Sequence, residues 1–361
     1  MPGVIDVIQL PDRATVIAES TWQAIQARDA LSAEWDFSQA ENRGTEELRA
    51  EYTALLDEEG IAFHSAVVSQ ADTEQVIEAD YSFPYLAHTP MEPIDVTVRF
   101  DGTEATFWTG SQIQTLDQNI GAQVLGIDPG SVSIETLWGG GSFGRRAIYD
   151  SHYVAEAAMI AKAWLEAHGD ARPIKLVWTR EDDVRGGYYR PMHMHRVRAG
   201  LDADGNITSW EQRVVGQGIA IGTAFEQFMV RDGVDASSVE GLGEHSAYTI
   251  PGWSVDIHHP EVGVPVLWWR SVGHTHTAYV VETMMDELAE AAGADPVEFR
   301  LRYLTDPRAR GVLELAIDKA GTVPDGLTRG IAVHKSFGSY VAEVADVRIR
   351  EDGTVKVERV T

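Results

Sequence analysis

The chain contains no cysteine. It can therefore form no disulfide, no thiolate metal site and no cysteine-ligated iron–sulfur cluster, so any electron-transfer centre working with it must lie elsewhere. Basic residues are also scarce: 29 Lys and Arg stand against 56 Asp and Glu, a formal net charge of −27. Such a surface repels a phosphate backbone, which argues against a nucleic-acid partner and leaves a solvated acidic exterior as the plain reading. No apolar run is long enough for a transmembrane helix, and Met1-Pro2-Gly3 leads into an amphipathic segment rather than a secretory leader. Periplasm and cytoplasm both stay open. Internal repeats and low-complexity tracts are absent too.

What is present is enough apolar residue, 44% of 361, to bury two or three cores of a multidomain protein mixing helices and strands. Alternating patterns predict strands over residues 4–10, 14–19, 76–81, 94–100, 104–108, 132–137, 174–180, 194–201 and 207–215. Asp101-Gly102 and Asp204-Gly205 turn two of the hairpins, and Asp352-Gly353 turns a closing pair over 341–350 and 354–360. Helical periodicity marks a segment carrying Trp22, Ile25, Ala30 and Leu31, then 113–125, 151–168, 278–292 and 312–319. Asp295-Pro296 is an N-cap followed by proline at the first helical position. Residues 37–73 read as surface helix and loop, and 214–251 as loop with short helices.

Residues 139–146, GGGSFGRR, follow the 132–137 strand and precede the 151–168 helix. Four glycines in so short a path let backbone approach another group closely, and two arginines suggest that the group is anionic. The spacing matches neither the dinucleotide fingerprint with its later acid nor the phosphate loop with its Lys-Ser or Lys-Thr, and a purely structural tight turn is the competing reading. His193/His195 and His274/His276 are i, i+2 pairs that a strand would place on one face, a spacing compatible with zinc. No third ligand stands out, and no metal site is assigned. Glu92 fits a carboxylate that accepts backbone N–H groups at the end of a loop better than it fits a general base.

Around the glycine loop lie, in order, YLAHTPMEP (85–93), WTGSQ (108–112), WRSVGH (269–274) and DPVEFR (295–300). This series resembles the molybdopterin-binding large subunit of the xanthine dehydrogenase and aldehyde oxidase family, and within it the branch of isoquinoline 1-oxidoreductase beta subunits. The resemblance runs from VIAESTWQAIQARDALSAEWD (16–36) to VHKSFGSYVAEVADV (333–347). It implies an α+β fold of mixed sheets with flanking helices. Residues 1–70 would form a partial α/β hammerhead-like domain and linker, 71–330 the first part of a molybdopterin-binding domain, and 331–361 the start of its second part.

The resemblance also implies site roles. Gly140, Gly141, Ser142, Phe143, Gly144 and Arg145 would line the cofactor, with the Phe143 N–H toward an oxygen ligand of molybdenum. Gln112 would donate a hydrogen bond to a metal ligand, and Arg270, expected to be partly buried beside its tryptophans, would stabilise charge developing on an oxygen or ring nitrogen. Both are the catalytic candidates. Phe337 and Tyr340 are candidates for a substrate pocket, although aromatics bordering a strand are commonly core. Relatives tend to carry glutamine where this chain has His276.

The implied activity is hydroxylation of an aldehyde or aromatic N-heterocycle with water as oxygen source. Electrons would leave through a molybdopterin cytosine dinucleotide cofactor with molybdenum to a separate small [2Fe-2S] subunit, with a cytochrome c as a further candidate acceptor. The family's base is a glutamate in a GVGE motif, and this sequence has no GVGE. A fragment or one part of a split subunit is therefore the expectation, with no hydroxylase activity and no tight hold on the cofactor in the isolated chain. A noncatalytic molybdopterin-like scaffold and a generic nucleotide-binding domain are the alternatives.

Overall fold

The computed structural model describes residues 1–10, 12–65 and 73–361. The chain forms two compact units, each assembled from three separated segments: Met1–Asn42, Leu86–Arg190 and Gly263–Arg270 in the first, Arg43–Tyr85, Pro191–Val262 and Ser271–Thr361 in the second. The boundary expected at residues 70 and 71 lies outside the described residues.

The first unit is built on a four-stranded sheet in the order Val132–Thr136, Ala105–Thr109, Asp95–Phe100, Ile174–Val177. The 105–109 and 132–136 strands run parallel, and the other pairs are antiparallel. Alternation along Asp95–Phe100 buries Val96, Val98 and Phe100, which pack with Phe107 against the helices Gln114–Leu125 and His152–His168. Alanines at 157, 158 and 161 keep the second helix close to the sheet, and a Cβ at Gly121 would stand 3.1 Å from the Phe107 ring. A hairpin of Val4–Leu10 and Arg13–Ala18 sets Ile8 against Ile160 and Trp164. The next helix, Thr21–Asp29, buries only Ala27, and Trp22 is 66% exposed, so the predicted apolar stripe is no core face.

The second unit holds a five-stranded sheet in the order Ile61–Ser65, Trp253–His258, Ile207–Gly216, His193–Leu201, Gln75–Phe83. Its strand His193–Leu201 sorts side chains by parity: Met194 faces Tyr52 and Leu56 of the segment beginning with helix Thr45–Leu55, while Val197 and Ala199 face Val280, Met284 and Leu288 of helix His274–Ala291. Helix Pro296–Tyr303 starts as expected, with Asp295 accepting the N–H groups of Val297 and Glu298. Its Arg300 is fully buried, donates to Glu282 at 2.9 Å and Asp286 at 2.7 Å, and shares Glu282 with the Tyr248 hydroxyl. An antiparallel meander of Thr328–Ser336, Ser339–Ile349 and Val355–Val360 packs against helix Pro307–Ala320.

The fold is α+β, as the resemblance implied. Several elements among the described residues have no counterpart in the predicted set, among them strand Ile61–Ser65, which falls where surface helix and loop were expected. Strand Trp253–His258 pairs parallel with Ile207–Gly216, strand Thr328–Ser336 opens the meander, and helix Arg180–Arg185 occupies the end of the predicted 174–180 strand. That helix has a side-chain cap in Thr179, which accepts the N–H of Asp182, so the strand ends at Val177.

Candidate functional site

The glycine loop leaves the end of strand Val132–Thr136 and enters helix His152–His168 within the first unit. Its path depends on left-handed backbone: φ is +54° at Gly140, +76° at Gly141, +56° at Phe143 and +102° at Gly144. Glycine adopts these values without penalty, whereas Phe143 does so at a cost of roughly 1 kcal/mol or more. At Gly144 space is limiting as well, because an added Cβ would lie 2.4 Å from the Trp268 carbonyl oxygen.

Bracing side chains hold the loop open. Ser142 Oγ donates to Gln112 Oε1 at 2.8 Å, and the N–H of Arg146 donates to the same oxygen and to Ser142 Oγ, both at 3.2 Å. Those contacts fix the orientation of the Gln112 amide: its oxygen faces the loop and its two N–H donors remain unspent among the described residues. The preceding Ser111 is held by Asp117, a buried carboxylate that also accepts the Tyr153 hydroxyl at 2.7 Å. Gly110 lets this segment cross the loop, since a Cβ there would stand 2.9 Å from Trp138 O and Gly139 Cα. On the other side the Arg270 N–H donates to Phe143 O at 2.9 Å, and the Arg270 guanidinium lies 5.9 Å from the Phe143 ring centroid. Among the described residues no acceptor takes the N–H groups of Gly140, Gly141, Ser142, Phe143 or Gly144.

Both arginines of the loop turn inward, which corrects their reading as anion ligands. Arg145 is buried and donates from Nε to Asp183 at 3.1 Å and from a terminal nitrogen to His152 at 2.9 Å, with Trp178 and Tyr188 beneath the guanidinium. Arg146, also fully buried, contacts Asp95 at 3.1 Å and Glu92 at 3.6 Å and donates to the Pro93 and Asp95 carbonyls. A buried guanidinium needs a counter-charge, and these carboxylates supply it. Glu92 therefore serves as a partner of Arg146 and Asp95, and the hydrogen bond to Asp95 followed by partial burial holds its carboxyl above the usual range. Its backbone N–H, not its carboxylate, bonds the loop, donating to Gly140 O at 2.9 Å.

One contributor, inside the YLAHTPMEP motif, is not among the site residues expected from the sequence. His88 is buried between two carbonyl oxygens, with Nδ1 3.1 Å from Tyr188 O and Nε2 2.9 Å from Trp268 O. Burial holds its pKa at about 4, so near neutrality only one ring nitrogen donates. The same Trp268 carbonyl is the one packed on Gly144. Arg270 itself is exposed rather than partly buried, because the tryptophans before it face the unit while its own side chain turns out.

The pocket and histidine candidates belong to the second unit. Phe337 is 69% exposed at φ +48°, with its ring edge-on to His274 at 5.1 Å. Tyr340 is a strut: its hydroxyl donates to Asp306 Oδ2 at 2.5 Å and its ring lies under Arg308. His274 and His276 sit in the first turn of a helix rather than on a strand, so their i, i+2 spacing splits them. His274 meets His334 at 2.8 Å, and His276 joins His193 and His195. Among the described residues no group of three or more histidines and carboxylates is arranged to hold a metal ion.

Comparison with known proteins supplies the context for this geometry. A family model described as molybdopterin cofactor-binding domain matches residues 59–304. The beta subunit of isoquinoline 1-oxidoreductase from Brevundimonas diminuta is 25% identical across all of this chain and 48% of its own length. The molybdenum-binding subunit of aldehyde oxidoreductase from Escherichia coli strain K12 is 28% identical across 80% of this chain and 37% of its own length. The chain thus spans less than half the length of these curated relatives. Among solved structures, quinoline 2-oxidoreductase from Pseudomonas putida 86 shares the fold at TM-score 0.67 and 19% identity, covering 95% of this chain and 49% of that one. Aldehyde oxidoreductase from Desulfovibrio gigas does so at TM-score 0.64 and 18% identity over 99% and 46%.

Proposed function

Because this chain belongs to the molybdopterin cofactor-binding domain family, as a molybdenum-binding subunit of the xanthine dehydrogenase type, we propose that its glycine loop holds the pyranopterin–molybdenum group of a hydroxylase. The observation that carries the reading is the row of N–H groups at Gly140–Gly144 with no protein acceptor among the described residues, beside an amide whose donors are also unspent. The donor set fits the group, which presents oxygen acceptors to the protein. Gly140, Gly141, Ser142, Phe143 and Gly144 bind through backbone N–H, as an anion-accepting concavity does. Gln112 donates from Nε2 without adding charge. Arg145 contributes from behind, through its pairing with Asp183, rather than by direct contact.

When bound, the group supplies two-electron oxidation of a carbon with water as the source of oxygen. Arg270, a fixed exposed cation beside Phe143, orients a substrate carbonyl or ring nitrogen and stabilises negative charge that builds there. We read the substrate as an aldehyde or aromatic N-heterocycle, the cofactor as the cytosine dinucleotide form, and the electron acceptor as a separate [2Fe-2S] subunit, a reading with which the cysteine-free composition agrees. The sequence carries no GVGE motif, and the chain by itself is proposed to be inactive.

The test is molybdenum and pterin content of the protein produced together with an iron–sulfur subunit, and turnover of benzaldehyde and quinoline by the chain alone. Bound molybdenum without turnover is the expected result. Molybdenum absent under conditions that load a known relative would overturn the cofactor reading, and turnover by the chain alone would overturn the missing base.

A further inference from the structure

In the second unit a donor-only group sets the protonation of a buried histidine pair. The Trp210 indole N–H can only donate, and it donates to Gln212 Oε1 at 3.1 Å. The Gln212 amide is thereby oriented, with its Nε2 hydrogens toward His195 Nδ1 at 3.1 Å. That ring nitrogen must offer its lone pair, so the single proton of a neutral His195 is on Nε2, which lies 2.8 Å from His276 Nδ1. His276 Nδ1 must accept in its turn, and its own proton is forced to Nε2. Reversing the row would require an amide nitrogen to accept or the indole to face another N–H, and neither is possible.

The rings have little freedom to escape this order. His193 stacks on His276 at 3.8 Å with planes 20° apart, and Phe83 meets His195 edge-on at 5.8 Å. Gln212, His195 and His276 are all buried. Burial also holds the His195 pKa at about 3, which keeps the imidazole neutral across the physiological range.

We propose that Trp210 and Gln212 are positioning residues that hold His276 as a neutral Nε2–H imidazole, a fixed hydrogen-bond donor that is neither metal ligand, general base nor proton relay. A metal or a proton needs a free lone pair, and the Nδ1 lone pairs of His195 and His276 are occupied within the row. The inner end is closed by an amide, which does not carry a proton onward.

The experiment is long-range proton–nitrogen correlation on the full chain labelled at histidine nitrogen, from pH 5.5 to 8. Both His195 and His276 should show a pyrrole-type Nε2 and a pyridine-type Nδ1 throughout, unmoved by added zinc. Gln212→Glu should swap the two nitrogen types in both rings, because a carboxylate accepts from His195 Nδ1 and reverses the row. Trp210→Phe, which frees the amide to turn, should give a mixture. An imidazolium at pH 7, a pyridine-type Nε2 on His276, a zinc-dependent shift, or Q212E with unchanged nitrogen types would each overturn the assignment.

Discussion

In the glycine loop of the first unit the backbone carries the binding groups and the side chains brace it; in the histidine cluster of the second unit the side chains carry them and the backbone is spent in strand and helix. The loop keeps five N–H groups without a protein acceptor among the described residues, at positive or crowded φ, and two buried arginines and a serine hold that arrangement in place. The cluster uses its ring nitrogens on one another, starting from an indole. The difference teaches where each is fragile: the loop fails through its supports and through added carbon, the cluster through the direction of its hydrogen bonds.

The largest expected break is in the supports. Asp183→Asn leaves the Arg145 guanidinium buried without a carboxylate and should cost about 3–5 kcal/mol in urea unfolding, of which much returns in the Asp183→Asn, Arg145→Met double variant. A cost for D183N below about 1 kcal/mol would show that the pair does not brace the loop. Next, Gly144→Ala puts a methyl 2.4 Å from the Trp268 carbonyl at φ +102° and should cost about 2–3 kcal/mol. It should lower molybdenum content more than tenfold while leaving the histidine nitrogen spectra of the second unit unchanged. Altered histidine spectra would defeat the contrast between the two regions.

A pH experiment sharpens the comparison from the other side. Burial, and the neighbouring His274 after it, lowers the His334 pKa to about 4, below its unfolded value near 6.5. Between those values the unfolded chain binds the extra proton, so the stability from neutral His334 is complete above about pH 6.5 and is lost as pH falls toward 4. His334→Phe should therefore flatten the stability profile over that window by about 1.4 kcal/mol per pH unit, measured as urea midpoints. An unchanged slope would place the titration elsewhere. The smallest change in stability is expected at Gln112→Leu, within about 1 kcal/mol because the residue is exposed, yet molybdenum content should fall about tenfold as the amide donors disappear. Full retention would remove Gln112 from the site.

Much of the scaffold around the loop was legible in sequence because its signals are local. Alternation marked Asp95–Phe100 and Ala105–Thr109, a helical period marked His152–His168, and glycine density marked the turn between strand and helix. Gln112 and Arg270 were placed beside the loop by resemblance, and their contacts with Ser142 and Phe143 put them there in the structure. The arginines were misread for a physical reason. Nothing within a few residues of Arg145 and Arg146 indicates that Asp183, Asp95 and Glu92, 38 to 54 positions away, turn inward to meet them. His274 and His276 were misread because a two-residue spacing means one face on a strand and nearly opposite faces on a helix. Helix His274–Ala291 starts four residues before the periodic pattern that announced it.

By itself, then, the sequence determined the absence of any thiol-based centre, the glycine-rich path between a strand and a helix, and the run of motifs that carries the family. Composition and short-range pattern suffice for these, because each depends on residue type and on neighbours along the chain. Only the tertiary structure decided that the loop's arginines are internal braces, that a parallel strand at Trp253–His258 joins the second sheet, and that one indole N–H orders the histidine pair. Those outcomes turn on which donor meets which acceptor across long separations in sequence. Burial makes such pairing obligatory, and no local pattern records it.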